Sequence, residues 1–207
     1  MNSKDNPYDI CSWREASGCV GCTLKGLVKC RHSWGDLAAF ALLTMTWFLP
    51  AGFGMYAADF GWWIVAWLCF ALFFFNVWET KILCSHCPYY ACSGKTLVCI
   101  ANHGCIKLWK YNPAPMSRFE KVQFLFAVLV LVGLPLPFLV LGGQWSMLIL
   151  TVVGIGAGVV NMQRNVCSKC VNFSCPANRV PKQVVDGYLV QNPIMLDAWL
   201  KAGYRLD

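Results

Sequence analysis

Between positions 37 and 78 the only charged residue is Asp59, and between positions 122 and 163 there is none. Each stretch is long enough for two membrane crossings of roughly 20 residues. A charge-free run of this length has few other solutions, because unpaired charges are excluded from hydrocarbon and a soluble core helix is shorter.

Breaks inside the runs suggest hairpins. Leu49-Pro50-Ala51-Gly52-Phe53-Gly54 interrupts the first, and Leu134-Pro135-Leu136-Pro137 with Gly142-Gly143-Gln144 interrupts the second. The expected spans are 34–53, 59–80, 118–138 and 144–163; two long helices kinked at proline are the alternative. The fold class is therefore an all-α integral membrane protein of four transmembrane helices, arranged as two tandem hairpins. A cysteine-bearing arm (1–32) precedes the first hairpin (33–83). A cysteine-rich loop (84–116) separates it from the second (117–163), and a cysteine motif with an amphipathic helical tail (164–207) follows. Residues 1–32 are polar, with no apolar run after a basic start, so the first span is expected to serve as the targeting element.

All 17 Lys and Arg fall in three segments: five before the first span, six from Lys81 to Lys121, and six after the fourth span. The positive-inside rule then places both termini and the middle loop in the cytoplasm, in an inner-membrane protein. The net charge of +7 is a topological signal, and the scattered basic residues form no nucleic-acid stripe.

Twelve of the 13 cysteines lie on that side. Cys69 alone sits in a span, where a small buried apolar residue is expected. Cytosolic thiols are kept reduced, which points to metal or redox chemistry over disulfides. Two signatures stand out: Cys84-Ser-His-Cys87-Pro-Tyr-Tyr-Ala-Cys92 and Cys167-Ser-Lys-Cys170-Val-Asn-Phe-Ser-Cys175. They end a longer repeat with a period of about 84 positions. Ser33-x2-Asp36 matches Ser117-x2-Glu120, both in the form of a capping box. Leu49-Pro50 matches Leu134-Pro135, Asp59 matches Gln144, and Asn76 matches Asn161. Asp59 is expected to cap a helix at the interface.

A Cys-x2-Cys pair brings two thiolates to one metal or cluster, and the third cysteine adds a ligand from the same loop. Zinc and cubane iron–sulfur sites usually take four ligands, so each triplet lacks one. A local partition groups Cys11, Cys19, Cys22 and Cys30; then Cys84, Cys87, Cys92 and Cys99; then Cys105 with Cys167, Cys170 and Cys175. A crossed partition, each triplet borrowing from the other unit, is equally open. Pro after Cys87 and Cys175 favours iron, in two to three [4Fe–4S] clusters, over zinc. His32, His86 and His103 are candidate substitute ligands. Tyr89, Tyr90, Trp109 and Phe173 would shield clusters or belong to an interfacial belt. The tail from Val180 reads as two short helices opened by Pro181 and Pro193 and stopped by Gly203. Their apolar side carries Val184, Tyr188, Leu189, Ile194, Leu196, Trp199 and Leu200.

In architecture the layout resembles polyferredoxin-type membrane proteins of bacterial respiratory chains, although their Cys-x2-Cys-x2-Cys-x3-Cys-Pro run is absent. Protein S-acyltransferases share a cysteine-rich loop between spans two and three, but their Asp-His-His-Cys motif is reduced here to Ser85-His86-Cys87. Quinone-linked disulfide-forming enzymes carry their Cys pairs on the oxidising side. No His lies within a span, and no catalytic carboxylate pair or phosphate-binding loop is present. The expected function is a membrane-bound iron–sulfur electron-transfer subunit. It would relay electrons between a cytoplasmic partner and a membrane carrier such as quinone, within a larger redox complex. A zinc-stabilised membrane anchor or assembly factor, and a membrane thiol–disulfide or metal-handling protein, are the alternatives.

Overall fold

The computed structural model describes residues 6–207, and among them regular structure is helical, with two isolated β-bridges, Lys25 to Val28 and Thr96 to Ile106. Four helices are long and apolar enough to cross a membrane: Trp34–Ala57, Gly61–His86, Arg118–Leu141 and Trp145–Lys169. The first is one α-helix, α1 (Trp34–Ala57). The second comprises α2 (Gly61–Phe73), a wide π turn at Phe74–Trp78 and α3 (Glu79–Ile82). The third is α4 (Arg118–Gly133) continued by α5 (Pro135–Leu141), and the fourth is α6 (Trp145–Asn161) ending in a π turn at Met162–Val166. Their outer faces are apolar and bare, with Trp62 87% and Leu141 75% exposed, as contact with lipid requires.

The prolines do not end the spans. Pro50 lies inside α1, which runs on to Ala57. The chain reverses instead at Asp59 (φ 62°) and Gly143 (φ 65°), each two residues before the next helix starts. Asp59 is thus a left-handed turn residue and not a helix cap, and its counterpart is Gly143, not Gln144. Asp, with its short side chain, is among the residues that tolerate this conformation.

Each proline deprives the carbonyl four residues earlier of its usual donor, and at Pro135 the packing answers the loss. Opposite Pro135, the freed Leu131 carbonyl accepts the Trp67 indole N–H at 2.8 Å, inside the bundle core. Opposite Pro50, the Thr46 carbonyl meets the backbone of Gly154 so closely that a Cβ there would stand 2.7 Å from the oxygen. This contact lies in the α1–α6 interface, the most extensive between helices. Neighbouring helices rescuing a broken hydrogen-bond ladder is how proline survives within a span.

At one end of the bundle the arm, the middle loop and the tail share a single buried core. Ile10, Leu24 and Val28 from the arm pack with Cys84, Cys87, Tyr89 and Tyr90 from the loop. Tyr188, Leu189 and Trp199 come from the tail helices α7 (Lys182–Val190) and α8 (Pro193–Lys201). Backbone bonds stitch the segments: Lys29 N–H to the Lys169 carbonyl (2.7 Å), Tyr89 O–H to the Lys29 carbonyl (2.7 Å) and Trp13 Nε1–H to the Pro88 carbonyl (2.8 Å). The tail helices begin at Pro181 and Pro193 and stop at Gly203 (φ 90°). Tyr188, Leu189 and Trp199 face inward as the pattern predicts, whereas Ile194 and Leu200 are turned out.

Candidate cysteine-rich redox site

The arm folds around its four thiols. Short 3-10 turns at Cys11–Trp13 and Ala16–Cys19 fold the backbone, and Gly21 (φ 82°) lets Cys22 N–H return to the Cys19 carbonyl at 3.3 Å. Cys30 stands among Cys11, Cys22 and Cys19, and burial, reinforced by these neighbours, pushes its thiol up to about 12. Cys11, Cys19 and Cys22 are near enough to act electrostatically on Cys30, but they do not form a group of three or more side chains placed to hold one metal ion among the described residues. Polar side chains approach its sulfurs: Asn192 Nδ2 to Cys11 Sγ at 3.3 Å, Arg31 to Cys19 Sγ at 3.7 Å, and the Gln191 amide to Cys22 Sγ at 3.8 Å.

The two triplets follow the two π turns. Irregular turns of this kind inside helices frequently accompany functional sites, and here each delivers the chain into a Cys-x2-Cys turn. Cys87 N–H bonds the Cys84 carbonyl at 2.9 Å, and both thiols are buried. A loop closed by Leu97 N–H to the Cys105 carbonyl (2.8 Å) carries Cys99 toward Cys84 and Cys87. Cys170 and Cys175 of the other triplet are near enough to act electrostatically on Cys87.

Cys105 feels Glu79 and Cys99 electrostatically. Cys92 is held by Lys107, whose Nζ donates to its sulfur at 3.0 Å and to its carbonyl at 2.7 Å. Among the described residues, no three His, Cys, Asp or Glu side chains are grouped to hold one metal ion.

The backbone around the sulfurs is arranged for negative charge. The amide of Tyr89 is directed at Cys87, that of Asn172 at Cys170, and those of Ala177 and Asn178 at Cys175. Cys99 receives three consecutive amides, from Ile100, Ala101 and Asn102. Such runs of N–H groups form anion-binding concavities. Burial still dominates, pushing Cys170 up to about 12 and Cys175 up to about 11, so the unliganded thiols stay protonated at neutral pH. A bound cation would reverse that balance, since metal binding releases thiol protons. Thiols with backbone amides directed at them are donors of the kind that bind metal as thiolates, although among the described residues no three are grouped to hold one ion.

Neither a family model, nor a curated protein, nor a solved structure matches the chain. The site must be read from its own chemistry.

Several expectations for single residues change. His86 is buried with both ring nitrogens engaged, Nδ1 with the Ala114 carbonyl (2.6 Å) and Nε2 with Glu120 (3.2 Å), so it cannot replace a thiolate without breaking these contacts. His32 and His103 stack on each other, ring centroids 4.5 Å apart, with Trp34 against both. Both nitrogens of His32 and Nδ1 of His103 are buried with no hydrogen-bond partner. Cys69 is exposed on the outer face of α2, not buried. Ser117 and Glu120 form the complete capping box, but Ser33 makes no side-chain cap, because Asp36 pairs with Lys29 at 2.5 Å. Tyr89 and Tyr90 are buried among the cysteines, while Trp109 lies at the surface.

The residues that sequence reasoning passed over are asparagines. Asn102 donates to Cys84 Sγ (3.4 Å) and to the buried Glu79 carboxylate (2.9 Å). Asn172 donates to the Leu83 carbonyl (3.1 Å), joining the two triplets, and Asn178 donates to the Cys170 and Asn172 carbonyls. All three stand within three residues of a cysteine, a proximity that could have drawn attention to them. Asn192 has no such signal.

Proposed function

We propose that the protein is a membrane-bound iron–sulfur electron carrier. Its twelve clustered cysteines would hold two to three clusters, probed most directly as [4Fe–4S], at the cytoplasmic face of two tandem helical hairpins. The carrying observation is the set of amides directed at Cys87, Cys99, Cys170 and Cys175. Groups so placed stabilise thiolates, the form that ligates metal, and hydrogen bonds to ligand sulfur raise the reduction potential of a cluster. Clusters, when bound, would supply one-electron transfer. The chain itself would fix the thiolates, exclude water with Tyr89, Tyr90 and Tyr188, and tune the sulfurs through Asn102 and Asn192.

The helix-start spacing and the matched turns at Asp59 and Gly143 support a duplicated hairpin, and the distribution of Lys and Arg supports cytoplasmic termini. Electrons would pass between a cytoplasmic partner or sister subunit and a lipid-soluble carrier. Anaerobic purification should give a brown protein absorbing at about 400 nm, with iron and acid-labile sulfide in equal amounts. Zinc alone would replace this reading with that of a zinc-held membrane anchor. A metal-free protein with a reversible dithiol couple would replace it with thiol–disulfide chemistry.

A further inference from the structure

Two open cavities lie along the bundle. One, of about 600 Å³, is lined by apolar side chains around Pro50 and Trp67 and has no polar side chain that would orient an occupant other than the Trp67 indole, which is already bonded to Leu131. The other, of about 670 Å³, lies between the π turn of the second span and the first turns of α4. That volume falls within the range of small-molecule sites, roughly 300–1,000 Å³.

We propose that this second cavity binds the headgroup of a quinone. Its lining is mixed in character. Phe73, Val77 and Phe119 are apolar, and Phe119 is 72% exposed, so the cavity opens onto the surface that lipid would cover. Lys81, Glu120 and Gln123 supply polar groups. Glu79 and Lys81 are the first charged residues after the long uncharged run of the first hairpin, which places the cavity at the edge of the hydrocarbon. Trp109 closes the top. Its indole N–H donates to the Val77 carbonyl at 3.2 Å, within the π turn, and its ring lies 4.9 Å from Lys81 Nζ. Trp78 Nε1–H donates to Gln123 Oε1 at 3.0 Å, which orients the amide and turns its NH₂ away from that bond.

A flat aromatic ring with two carbonyls and an isoprenoid tail suits this layout. The ammonium and the amide NH₂ can donate to the carbonyls, and the tail can leave past the exposed Phe119 ring toward lipid. The Glu120 carboxylate decides against the commonest rival, a phospholipid, because a phosphate would be repelled by it. The same carboxylate contacts His86 at 3.2 Å, and His86 lies between Ser85 and Cys87 of the first triplet. The cavity is thus one side chain removed from the cysteines. This inference rests on the carrier reading for its use, but its binding test is independent of iron.

The test is a fluorescence-quench titration of 2-heptyl-4-hydroxyquinoline N-oxide into the full chain in detergent. Lys81→Leu and Gln123→Leu are compared with Phe53→Leu in the other cavity. Saturable one-to-one binding, weakened about tenfold by each of the first two changes and unaffected by the third, is expected. Absence of saturable binding, or equal binding by all variants, overturns the proposal. Displacement of the probe by phosphatidylglycerol in a Lys81-dependent manner overturns it in favour of a lipid site. Photolabelling of the wild-type chain with an azidoquinone requires no variant. Label at 109–123 supports the site, and label only elsewhere overturns it. Binding by a protein that lacks iron would leave this site standing while the electron-carrier reading fell.

Discussion

Asn192 and Cys11 hold each other at two points. The Cys11 amide donates to Asn192 Oδ1 at 2.6 Å, and Asn192 Nδ2 donates to Cys11 Sγ at 3.3 Å. Nδ2 also reaches the Tyr188 carbonyl at 2.6 Å, and the Tyr188 hydroxyl bonds Ser12 at 2.8 Å. A side chain 1% exposed with this many partners leaves unpaired polar groups when removed. Asn192→Ala is expected to lose about 1–3 kcal/mol. The readout is a lower thermal midpoint in detergent, with faster alkylation of Cys11 and an unchanged rate at Cys69.

Cysteine substitutions should divide by location. Cys30→Ser and Cys87→Ser are expected to lower iron and sulfide content, because each thiol is buried and feels other thiols electrostatically. Cys69→Ser, on the outer face of α2, should leave both unchanged. Equal iron in the first two variants and wild type would refute their assignment as ligands.

The metal-free protein should weaken in alkali. Cys30 and Cys170 are pushed up to about 12 and Cys175 up to about 11, chiefly by burial, from an ordinary value of 9.0. The folded apo state therefore holds protons that the unfolded chain has released. The contribution of these thiols is complete below pH 9 and is lost as pH rises through 11 to 12. Protein with metal on these sulfurs has already surrendered the protons and should not share the loss. Unfolding midpoints of apo and loaded protein from pH 8 to 11 provide the comparison.

Trp67→Phe removes the only donor shown for the Leu131 carbonyl while keeping most of the ring volume. A buried carbonyl without a partner costs about 1–3 kcal/mol. The expected result is a corresponding loss of stability; a neutral outcome would show that the third span relaxes around Pro135.

Two glycines in α6 separate close packing from helix propensity. A Cβ on Gly154 would stand 2.7 Å from the Thr46 carbonyl oxygen, which as backbone cannot swing aside. Gly156 has open space around it. Gly154→Ala should destabilise the bundle and Gly156→Ala should not, measured as resistance to unfolding in detergent.

The four spans were legible because exclusion of charge from hydrocarbon writes itself over forty residues at a time. The ends of the spans were not. The expected first and third spans ran past Pro50 and Pro135 but stopped at 53 and 138, whereas the helices continue to Ala57 and Leu141, the third with the distant Trp67 indole on the carbonyl that Pro135 frees. The capping motif at Ser33 was legible as a pattern and failed because Lys29 competes for Asp36. The placement of Cys92 and Cys105 depends on how the middle loop folds over the helix ends, which spacing does not encode. Asn192 lies 181 residues from the cysteine it caps, and nothing near it in the chain marks it.

That separation orders the birth of the protein. The arm is synthesised first, but the face of its thiol group covered by Gln191 and Asn192 stays open until residue 192 has left the ribosome. Both spans of the second hairpin must be threaded into the membrane before then. The thiols of the arm are therefore solvent-accessible while the chain grows, and closure by the tail comes last.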